Sequence, residues 1–307
     1  MTTPAPSPAA QALQSGVIPA LWIPTDPEGS LMEKEFIRFI QFGVKSGVQG
    51  FMVLGTTGEF LHLEIPVRKR VIEVVQENAG GLPLMVNISD IRPRVVAELG
   101  RFCRSQGVAA VSLLPPYYYP LAPDDLLEFF LRSGEASGLP VFLYNFPERV
   151  GYKIGLDTIA ATADRLPMLG IKQSGGDFEY HRDLVALGRQ KGFATITGGD
   201  TTLPEAMAVG VDGVVSGLSN ALADLVVAVY SQVKAGKTRA EIPEAEWMTQ
   251  VGGRLSAMEF PFNVGAVLAA RGFDLGHPKM LVSPKSQARF EVLKMEFQRL
   301  FRDWGLV

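Results

Sequence analysis

The chain has little of the residue types from which disulfides and metal sites are built, with one cysteine and three histidines in 307 residues. Cys103 has no second cysteine to pair with, and it lies in a helical pattern where a small buried side chain is expected. The histidines, His62, His181 and His277, are scattered and show no metal-ligand spacing. The sequence therefore predicts neither a disulfide framework nor a metal site.

A strong charge of either sign and a long apolar run are also missing. The formal net charge is -3 and the sequence pI is near 5.8, so a basic surface for nucleic acid is not expected. No window approaches the roughly 18 consecutive apolar residues of a membrane span. The N-terminus lacks the charged-then-apolar layout of a secretory signal. We expect a cytoplasmic protein that acts on small molecules, with neither nucleic acid nor membrane as a partner.

What the chain does have is a regular alternation of short apolar runs with amphipathic stretches, at 47% hydrophobic residues overall. Residues 1–15, rich in Ala and Pro, are expected to form a loose leader. Residues 16–235 hold the alternating pattern, and residues 236–307 carry helical patterns without strand candidates. The predicted strands span 17–23, 49–54, 84–87, 110–114, 141–144, 168–172, 194–197 and 213–216. The predicted helices between and after them span 33–45, 67–78, 93–106, 123–137, 156–166, 179–191, 203–209 and 221–235.

Eight strand and helix units predict a closed (β/α)8 TIM barrel, followed by a C-terminal helical appendage. An open doubly wound sheet alternates strands and helices as well. The count of eight and the lack of G-x-G-x-x-G after the first strand argue against that architecture. In TIM barrels the reaction site lies at the carboxyl ends of the strands, so polar residues at those ends are the candidates for function.

Lys172 is a lone cation at the end of the apolar run 168–172. Partial burial there disfavours the charged ammonium and frees the amine to attack a carbonyl carbon, as a Schiff-base lysine must. A lysine just past a strand is more often solvated in a loop. The interpretation therefore depends on the residues at the neighbouring strand ends.

Three other strand ends carry suitable groups. Thr56 and Thr57, flanked by glycines, can offer hydroxyls and backbone N–H groups to a carboxylate, or they can cap the next helix. Tyr144 can move a proton, or it can simply pack in the core. Arg149 can present a planar fork to a second carboxylate, or it can be a solvated loop arginine.

Four segments, taken in order, resemble the dihydrodipicolinate synthase and N-acetylneuraminate lyase family. They are residues 55–59 (Gly-Thr-Thr-Gly-Glu), the pair Tyr117 and Tyr118 after proline, residues 144–147 (Tyr-Asn-Phe-Pro) and residues 170–172 (Gly-Ile-Lys). The resemblance covers nearly the whole chain, and several motifs in the right order make a chance match improbable.

The resemblance implies a role for each candidate. Lys172 would form an imine with pyruvate or a pyruvate-derived 2-oxo acid, and Thr56 and Thr57 would hold its carboxylate. Tyr144 would be the general acid and base, in a proton relay with Thr56 and Tyr118, and in this family the latter can come from a neighbouring subunit. The resulting enamine adds to an aldehyde, or the reverse reaction cleaves a carbon–carbon bond. Neither direction needs a metal or an organic cofactor.

Two further residues bear on the substrate. Val215 falls where the family lines the pyruvate pocket with an aliphatic residue, although a buried strand valine is also an ordinary core residue. Arg149 stands where synthases grip the carboxylate of aspartate semialdehyde. This favours condensation of pyruvate with a carboxylated aldehyde, as in 4-hydroxy-tetrahydrodipicolinate synthase. Against it, residues 86–92 lack the glycine-rich turn of the synthases, and Gln173 replaces an acidic residue often found after the lysine.

Two alternatives stay open on the sequence alone. One is an aldolase or dehydratase of the same family that acts on a 2-keto-3-deoxy sugar acid. The other is a barrel that binds a 2-oxo acid as a sensor, although binding alone would not need a nucleophile with a proton relay. The tyrosines at 117–119 and the resemblance predict a homo-oligomer, a dimer or a tetramer.

Overall fold

Eight parallel strands form the centre of the structure, a computed structural model that describes residues 6–307. The strands are β1 (Gly16–Pro19), β2 (Phe51–Val53), β3 (Leu84–Asn87), β4 (Ala110–Leu113), β5 (Val141–Asn145), β6 (Met168–Gln173), β7 (Ala194–Thr197) and β8 (Gly213–Ser216). Their hydrogen-bonded order is β1-β8-β7-β6-β5-β4-β3-β2, so neighbours in sequence are neighbours in space. The predicted (β/α)8 barrel is confirmed.

The barrel closes between β1 and β2, the two ends of that order. After Pro19 the chain changes partners, because the amide of Ala20 donates to Ser216 of β8 at 2.8 Å while the amide of Leu21 donates to Met52 of β2, also at 2.8 Å. Ala20 and Met52 form an isolated parallel bridge. The strand expected over 17–23 therefore ends at Pro19, where its regular pairing with β8 stops. The two residues after Pro19 still connect β8 to β2 through these hydrogen bonds.

Helices connect the strands and continue past the last one. The bounds are α1 (Pro8–Ala12), α2 (Glu33–Ser46), α3 (Ile65–Asn78), α4 (Pro93–Ser105), α5 (Pro123–Ser137), α6 (Pro147–Val150), α7 (Leu156–Ala163), α8 (Phe178–Lys191), α9 (Leu203–Ala208), α10 (Ser219–Lys234), α11 (Pro243–Leu255), α12 (Phe262–Ala270) and α13 (Pro284–Asp303). Gly138 and Gly192 end α5 and α8 at φ values of 62° and 78°, a left-handed conformation that glycine adopts without strain. Most helix bounds lie within two residues of the prediction.

The leader is ordered where the structure describes it, which corrects the expectation of a loose segment. Residues Pro8–Ala12 form α1, and the side chains of Ala10 and Leu13 are fully buried. The Gln14 side chain donates from Nε2 to the carbonyl of Leu169 at 2.9 Å. The Ala- and Pro-rich composition misleads because the contacts of Leu13 and Gln14 are tertiary, and the only local helix signal is the cap Ser7 followed by Pro8. The first five residues lie outside the described part of the chain.

The C-terminal region packs back onto the barrel. Its segment between α12 and α13 lies beside the end of β1, where Trp22 donates from Nε1 to the carbonyl of Leu275 at 3.0 Å. Thr25 accepts from the amide of His277 at 2.6 Å. This return brings C-terminal residues to the carboxyl end of the barrel, where the candidate site lies. Across residues 6–307, no helix combines the length and apolarity needed to cross a membrane.

Candidate active site

Lys172 and Tyr144 are paired across two neighbouring strands. They are register partners on β6 and β5, and such partners point to the same face of a sheet. The lysine side chain is buried, at 5% exposure, and its Nζ lies 4.1 Å from the centre of the tyrosine ring. The strand pairing thus places an amine and a phenol side by side at the carboxyl end of the barrel.

Thr56 adds a second hydroxyl to this pair. Its Oγ1 lies 3.2 Å from the hydroxyl of Tyr144, within hydrogen-bond distance. Thr57 is buried beside Gly217 at the end of β8, where a Cβ built on the glycine would lie 3.1 Å from the Thr57 Oγ1. The lack of a side chain at 217 lets this threonine approach the backbone closely. The side chains of Lys172, Tyr144 and Thr56 therefore lie together, and Thr57 directly follows Thr56 in sequence.

Val215 and Tyr118 lie differently from that group. Lys172 is in register with Ile196 of β7, and Ile196 with Gly213 of β8, so Val215, two residues beyond Gly213, shares the interior face. It is buried, as a core valine would also be. Tyr118 is 81% exposed and makes no hydrogen bond to Lys172, Tyr144 or Thr56 of the same chain. The described chain therefore brings those three residues together without Tyr118.

Asp200 was not predicted, yet it lies beside the lysine. Burial raises the pKa of its carboxyl to about 6, partly offset by the hydroxyl of Ser216, the amides of Gly217 and Leu218, and the charge of Lys172. Its Oδ1 is buried and accepts no hydrogen bond from the described residues. The sequence signal was available, because Gly198-Gly199-Asp200 directly follows β7 just as the Gly-Thr-Thr-Gly run follows β2.

The glycine at 198 makes room for the lysine. A Cβ built there would lie 3.2 Å from Cε of Lys172 and 2.2 Å from Oγ of Ser174. The contact to Ser174 is closer than real Cβ atoms come, so a side chain at 198 would force that hydroxyl to move. The contact to Lys172 is tight, and Cε of the lysine would have to shift by a few tenths of an ångström.

A buried amide network supports β5 and β6 behind the site. Asn145 donates from Nδ2 to Oε1 of Gln173 at 2.6 Å and accepts at Oδ1 from the amide of Ile154 at 3.0 Å. Gln173 in turn donates from Nε2 to the carbonyl of Ser174 at 2.8 Å. A carboxylate at 173 could accept from Asn145 but could not donate to that carbonyl. The network thus explains why a glutamine, and not an acid, fits after Lys172.

A cavity of about 230 Å³ opens outward from Thr56. Arg149 lies on its wall, with the guanidinium carbon 5.5 Å from the centre of the Phe260 ring. Phe260, Pro261 and Met280 belong to the C-terminal region and complete the wall. The predicted appendage thus contributes side chains to the mouth of the barrel.

An oppositely charged pair ties that region to the threonine loop. Glu59, two residues after Thr57, is buried with Oε1 3.9 Å from Nζ of Lys279, which is also buried. Burial raises the pKa of Glu59, with Lys279 partly offsetting it, and burial lowers the pKa of Lys279. The same ammonium lies 5.5 Å from the Trp22 ring. The lysine therefore contacts the chain after both β1 and β2.

His, Cys, Asp and Glu side chains are the usual protein ligands of metal ions. Across the described residues, no group of three or more His, Cys, Asp or Glu side chains is placed to hold a metal ion. Cys103 is buried in α4, and burial raises the pKa of its thiol to about 12. That thiol is packed as a core residue.

Residues 13–295 match the sequence model of the dihydrodipicolinate synthetase family. The chain belongs to this family. Members of the dihydrodipicolinate synthetase family are lyases of the class I aldolase type, and so is this protein. The resemblance inferred from the motifs is therefore confirmed at the level of the family.

Relatives and solved structures agree with the family but differ in activity. The chain is 31% identical over 205 residues to a 4-hydroxy-tetrahydrodipicolinate synthase of Methanothrix thermoacetophila, covering 67% of this chain and 69% of that protein. It is 29% identical over 262 residues to an uncharacterized DapA-like lyase of Halobacterium salinarum, covering 85% and 86%.

Among solved structures, a pyruvate complex of an E. coli K12 prophage protein of the dihydrodipicolinic acid synthase family superposes with a TM-score of 0.86 at 23% identity, covering 94% of this chain and 99% of that one. Sialic acid aldolase of Ruminococcus gnavus gives a TM-score of 0.84 at 21% identity, with the same coverage. At these identities, the structural likeness shows the fold.

Proposed function

We propose that this lyase forms a Schiff base between Lys172 and pyruvate or a pyruvate-derived 2-oxo acid, and joins pyruvate to a carboxylated aldehyde as 4-hydroxy-tetrahydrodipicolinate synthases do. The carrying observation is a pair of contacts that Tyr144 makes at the strand ends, one with Lys172 and one with Thr56. A buried amine lies 4.1 Å from a tyrosine ring whose hydroxyl is 3.2 Å from Thr56. A nucleophile beside a proton donor and acceptor is what imine chemistry requires.

The first half of the reaction uses these three residues and Thr57. The Lys172 amine attacks the ketone carbon, and the oxygen leaves as water once Tyr144 has supplied a proton. Thr56 and Thr57 hold the carboxylate of the bound acid through hydroxyl and backbone N–H groups. The protonated imine then withdraws electrons from the neighbouring methyl carbon. Loss of one methyl proton gives an enamine.

The second half takes place at the mouth of the cavity. The enamine carbon attacks the aldehyde carbon, and the aldehyde oxygen takes up a proton from Tyr144. Arg149, on the wall of the same cavity, is placed to pair with the carboxylate of that aldehyde. Water then hydrolyses the imine and restores the free amine of Lys172.

The homo-oligomer expected from sequence belongs to the same proposal. Four apolar or aromatic side chains are exposed in the segments that follow β2, β3 and β4, at the carboxyl face of the barrel. They are Leu61 at 51%, Ile91 at 50%, Tyr118 at 81% and Tyr119 at 72% exposure. We infer that a second copy covers this face and supplies its Tyr118 to the proton relay.

Trapping with borohydride tests the central step. Wild-type protein incubated with pyruvate and borohydride should gain the mass of one reduced pyruvate, and peptide mapping should place the adduct on Lys172. Lys172→Ala should gain nothing, whereas the control Lys153→Ala, an exposed lysine on a nearby loop, should label like wild type. Tyr144→Phe should still label but turn over more slowly by about 10²- to 10⁴-fold, the usual contribution of a general acid and base. Wild-type protein that never labels would refute the imine.

A further inference from the structure

We propose that a second cavity, between the barrel and the C-terminal helices, binds a small aromatic molecule that carries one hydrogen-bond donor, such as a phenol. This second cavity measures about 190 Å³, and Glu59 lines both it and the cavity that opens outward from Thr56. Lys172, Tyr144 and Thr56 are not among its lining residues. The proposal therefore concerns binding outside the imine-forming group, and it does not depend on the proposed function.

The walls of the second cavity are mainly apolar and aromatic. They come from the chain after β1, from α12 and the residues before it, and from the segment that leads into α13. The apolar lining residues are Trp22, Met258, Phe262, Leu275, Val282 and Phe290. Such walls gain free energy when they meet an apolar ligand, since both surfaces leave water. An apolar protein cavity of about 150 Å³ binds benzene, so the second cavity has room for one six-membered ring with a substituent.

A glycine inside α12 leaves this space free. A Cβ built on Gly265 would lie 3.2 Å from Cδ1 of Leu275, 3.4 Å from Cη2 of Trp22 and 3.6 Å from Cε2 of Phe290. All three residues line the cavity, so the missing side chain would point into it. Glycine destabilises a helix interior relative to alanine, and packed cores leave few voids larger than a water molecule. The opening therefore exists against the preference of the helix and of the core.

One carboxylate on the wall supplies a polar contact. Glu59 is buried, with Oε1 3.9 Å from Nζ of Lys279, and its Oε2 has no hydrogen-bond partner among residues 6–307. A buried acceptor without a donor costs free energy, and a ligand hydroxyl that donates to it would remove that cost. The charges of Glu59 and Lys279 balance each other, so a neutral donor is sufficient. A hydroxyl on an aromatic ring thus matches both the acid and the apolar walls.

The second cavity also has a way in. His277, Pro278 and Gln287 line it and are exposed, so they form a rim that faces solvent. A ligand can enter between the segment after α12 and the first turn of α13. Entry at this rim does not require the chain to open at the strand ends that carry Lys172 and Tyr144.

Titration calorimetry with two matched probes tests the proposal. Phenol and toluene share the same ring, but only phenol carries a donor. We expect one phenol to bind per chain, at least tenfold more tightly than toluene, because a hydrogen bond to a carboxylate is charge-assisted. The double variant Glu59→Gln with Lys279→Met removes both charges together and leaves neither buried alone. It should narrow the ratio between the two probes.

Variants of two glycines locate the binding site. Gly265→Val should fill part of the cavity and weaken phenol binding at least tenfold. Gly253→Val is the matched control, since Gly253 also lies inside a helix, α11, but a Cβ built there meets no atom within 4 Å. Phenol should bind this control as it binds wild type. Gly265→Ala adds a single methyl group and should weaken binding less, and it provides the same test if the valine variant does not fold.

Crystals soaked with 4-bromophenol give a direct position. The anomalous signal of bromine should appear between Trp22 and Phe290, among the walls of the second cavity. Bromine found only in the cavity at Thr56 would overturn the proposal, and so would equal phenol binding by wild type and Gly265→Val. Absence of phenol binding, or toluene binding as tight as phenol, would also refute it. Borohydride trapping on Lys172 is measured separately, so its failure would refute the proposed function and leave this proposal standing.

Discussion

Asp200 illustrates at the residue scale how a buried carboxyl beside Lys172 costs stability at neutral pH. Burial raises the pKa of its carboxyl from 3.8 to about 6, so the folded protein holds this proton more tightly than the unfolded chain does. The contribution of Asp200 to the free energy of unfolding is therefore favourable at low pH. It is lost as the pH rises from about 4 to about 6.

Replacing Asp200 with asparagine should remove this pH dependence. Each pKa unit corresponds to 1.36 kcal/mol, so up to about 3 kcal/mol of unfolding free energy is at stake between pH 4 and pH 7. We expect the stability of Asp200→Asn relative to wild type to be greater at pH 7 than at pH 4, measured by urea unfolding at both. A difference that does not change with pH would contradict the burial of this carboxyl.

The sequence predicts a candidate residue only where it also predicts the end of the strand that carries the residue. Lys172, Tyr144 and Thr56 end or follow strands that the apolar pattern reveals, and the barrel brings all such ends to one place. Asp200 was missed because Gly-Gly-Asp after a strand is typical of an ordinary turn. The apolar mouth could not be foreseen, since Met280 reaches Thr56 across more than 200 residues by tertiary packing alone.

At the scale of elements, α1 seals the end of the barrel opposite the site. Leu13 follows this helix and is fully buried, and its Cδ2 would lie 2.7 Å from a Cβ built on Gly50, just before β2. The glycine leaves space for the leucine, which fills it. A short helix of low intrinsic stability is thus held in place mainly by Leu13, together with the smaller buried side chain of Ala10.

Leu13→Ala should show how much Leu13 contributes. Truncating a fully buried leucine usually lowers the free energy of unfolding by about 2 to 5 kcal/mol through lost burial and a residual cavity. The matched control is Gln11→Ala, on the exposed side of α1, which should change stability by less than about 0.5 kcal/mol. Equal effects in denaturant unfolding would show that α1 is not anchored through Leu13.

The sequence predicts the helix bounds well where a proline or a glycine marks the end of the helix. Pro at the start of α4 and α5 and Gly after α5 and α8 gave the helix limits closely. The helix expected over 156–166 ends at Ala163, because the chain turns early to bring Leu166 and Pro167 to β6. The start of α1 carries the same kind of signal, because Ser7 caps the helix and Pro8 is its first residue. Its five residues are too few to show a helical apolar period, so this helix was not predicted.

At the scale of the whole molecule, the exposed apolar face after β2, β3 and β4 is expected to be an interface. Ile91→Asp would place a charge in it and should shift the protein toward the monomer, as measured by sedimentation at fixed concentration. Val292→Asp is the control, because Val292 is similarly exposed at 53% but lies on α13. If Ile91→Asp leaves the oligomeric state unchanged, the interface does not include this face.

Mixing inactive variants tests the shared tyrosine in the same experiment. Lys172→Ala and Tyr118→Phe subunits should each be impaired alone. A hybrid regains activity if the intact lysine of one subunit can use the tyrosine of the other. No recovery in verified hybrids would place the relay within one chain.

The lysine at 279 has a further consequence for how the chain folds. It touches Trp22 after β1 and Glu59 after β2, the two edges at which the barrel closes. A chain cut after residue 235 would keep all eight strands and lose this connection. We therefore expect barrel and C-terminal helices to unfold as one cooperative unit, so that residue 236 marks a change of secondary structure and not a boundary between independently folding parts.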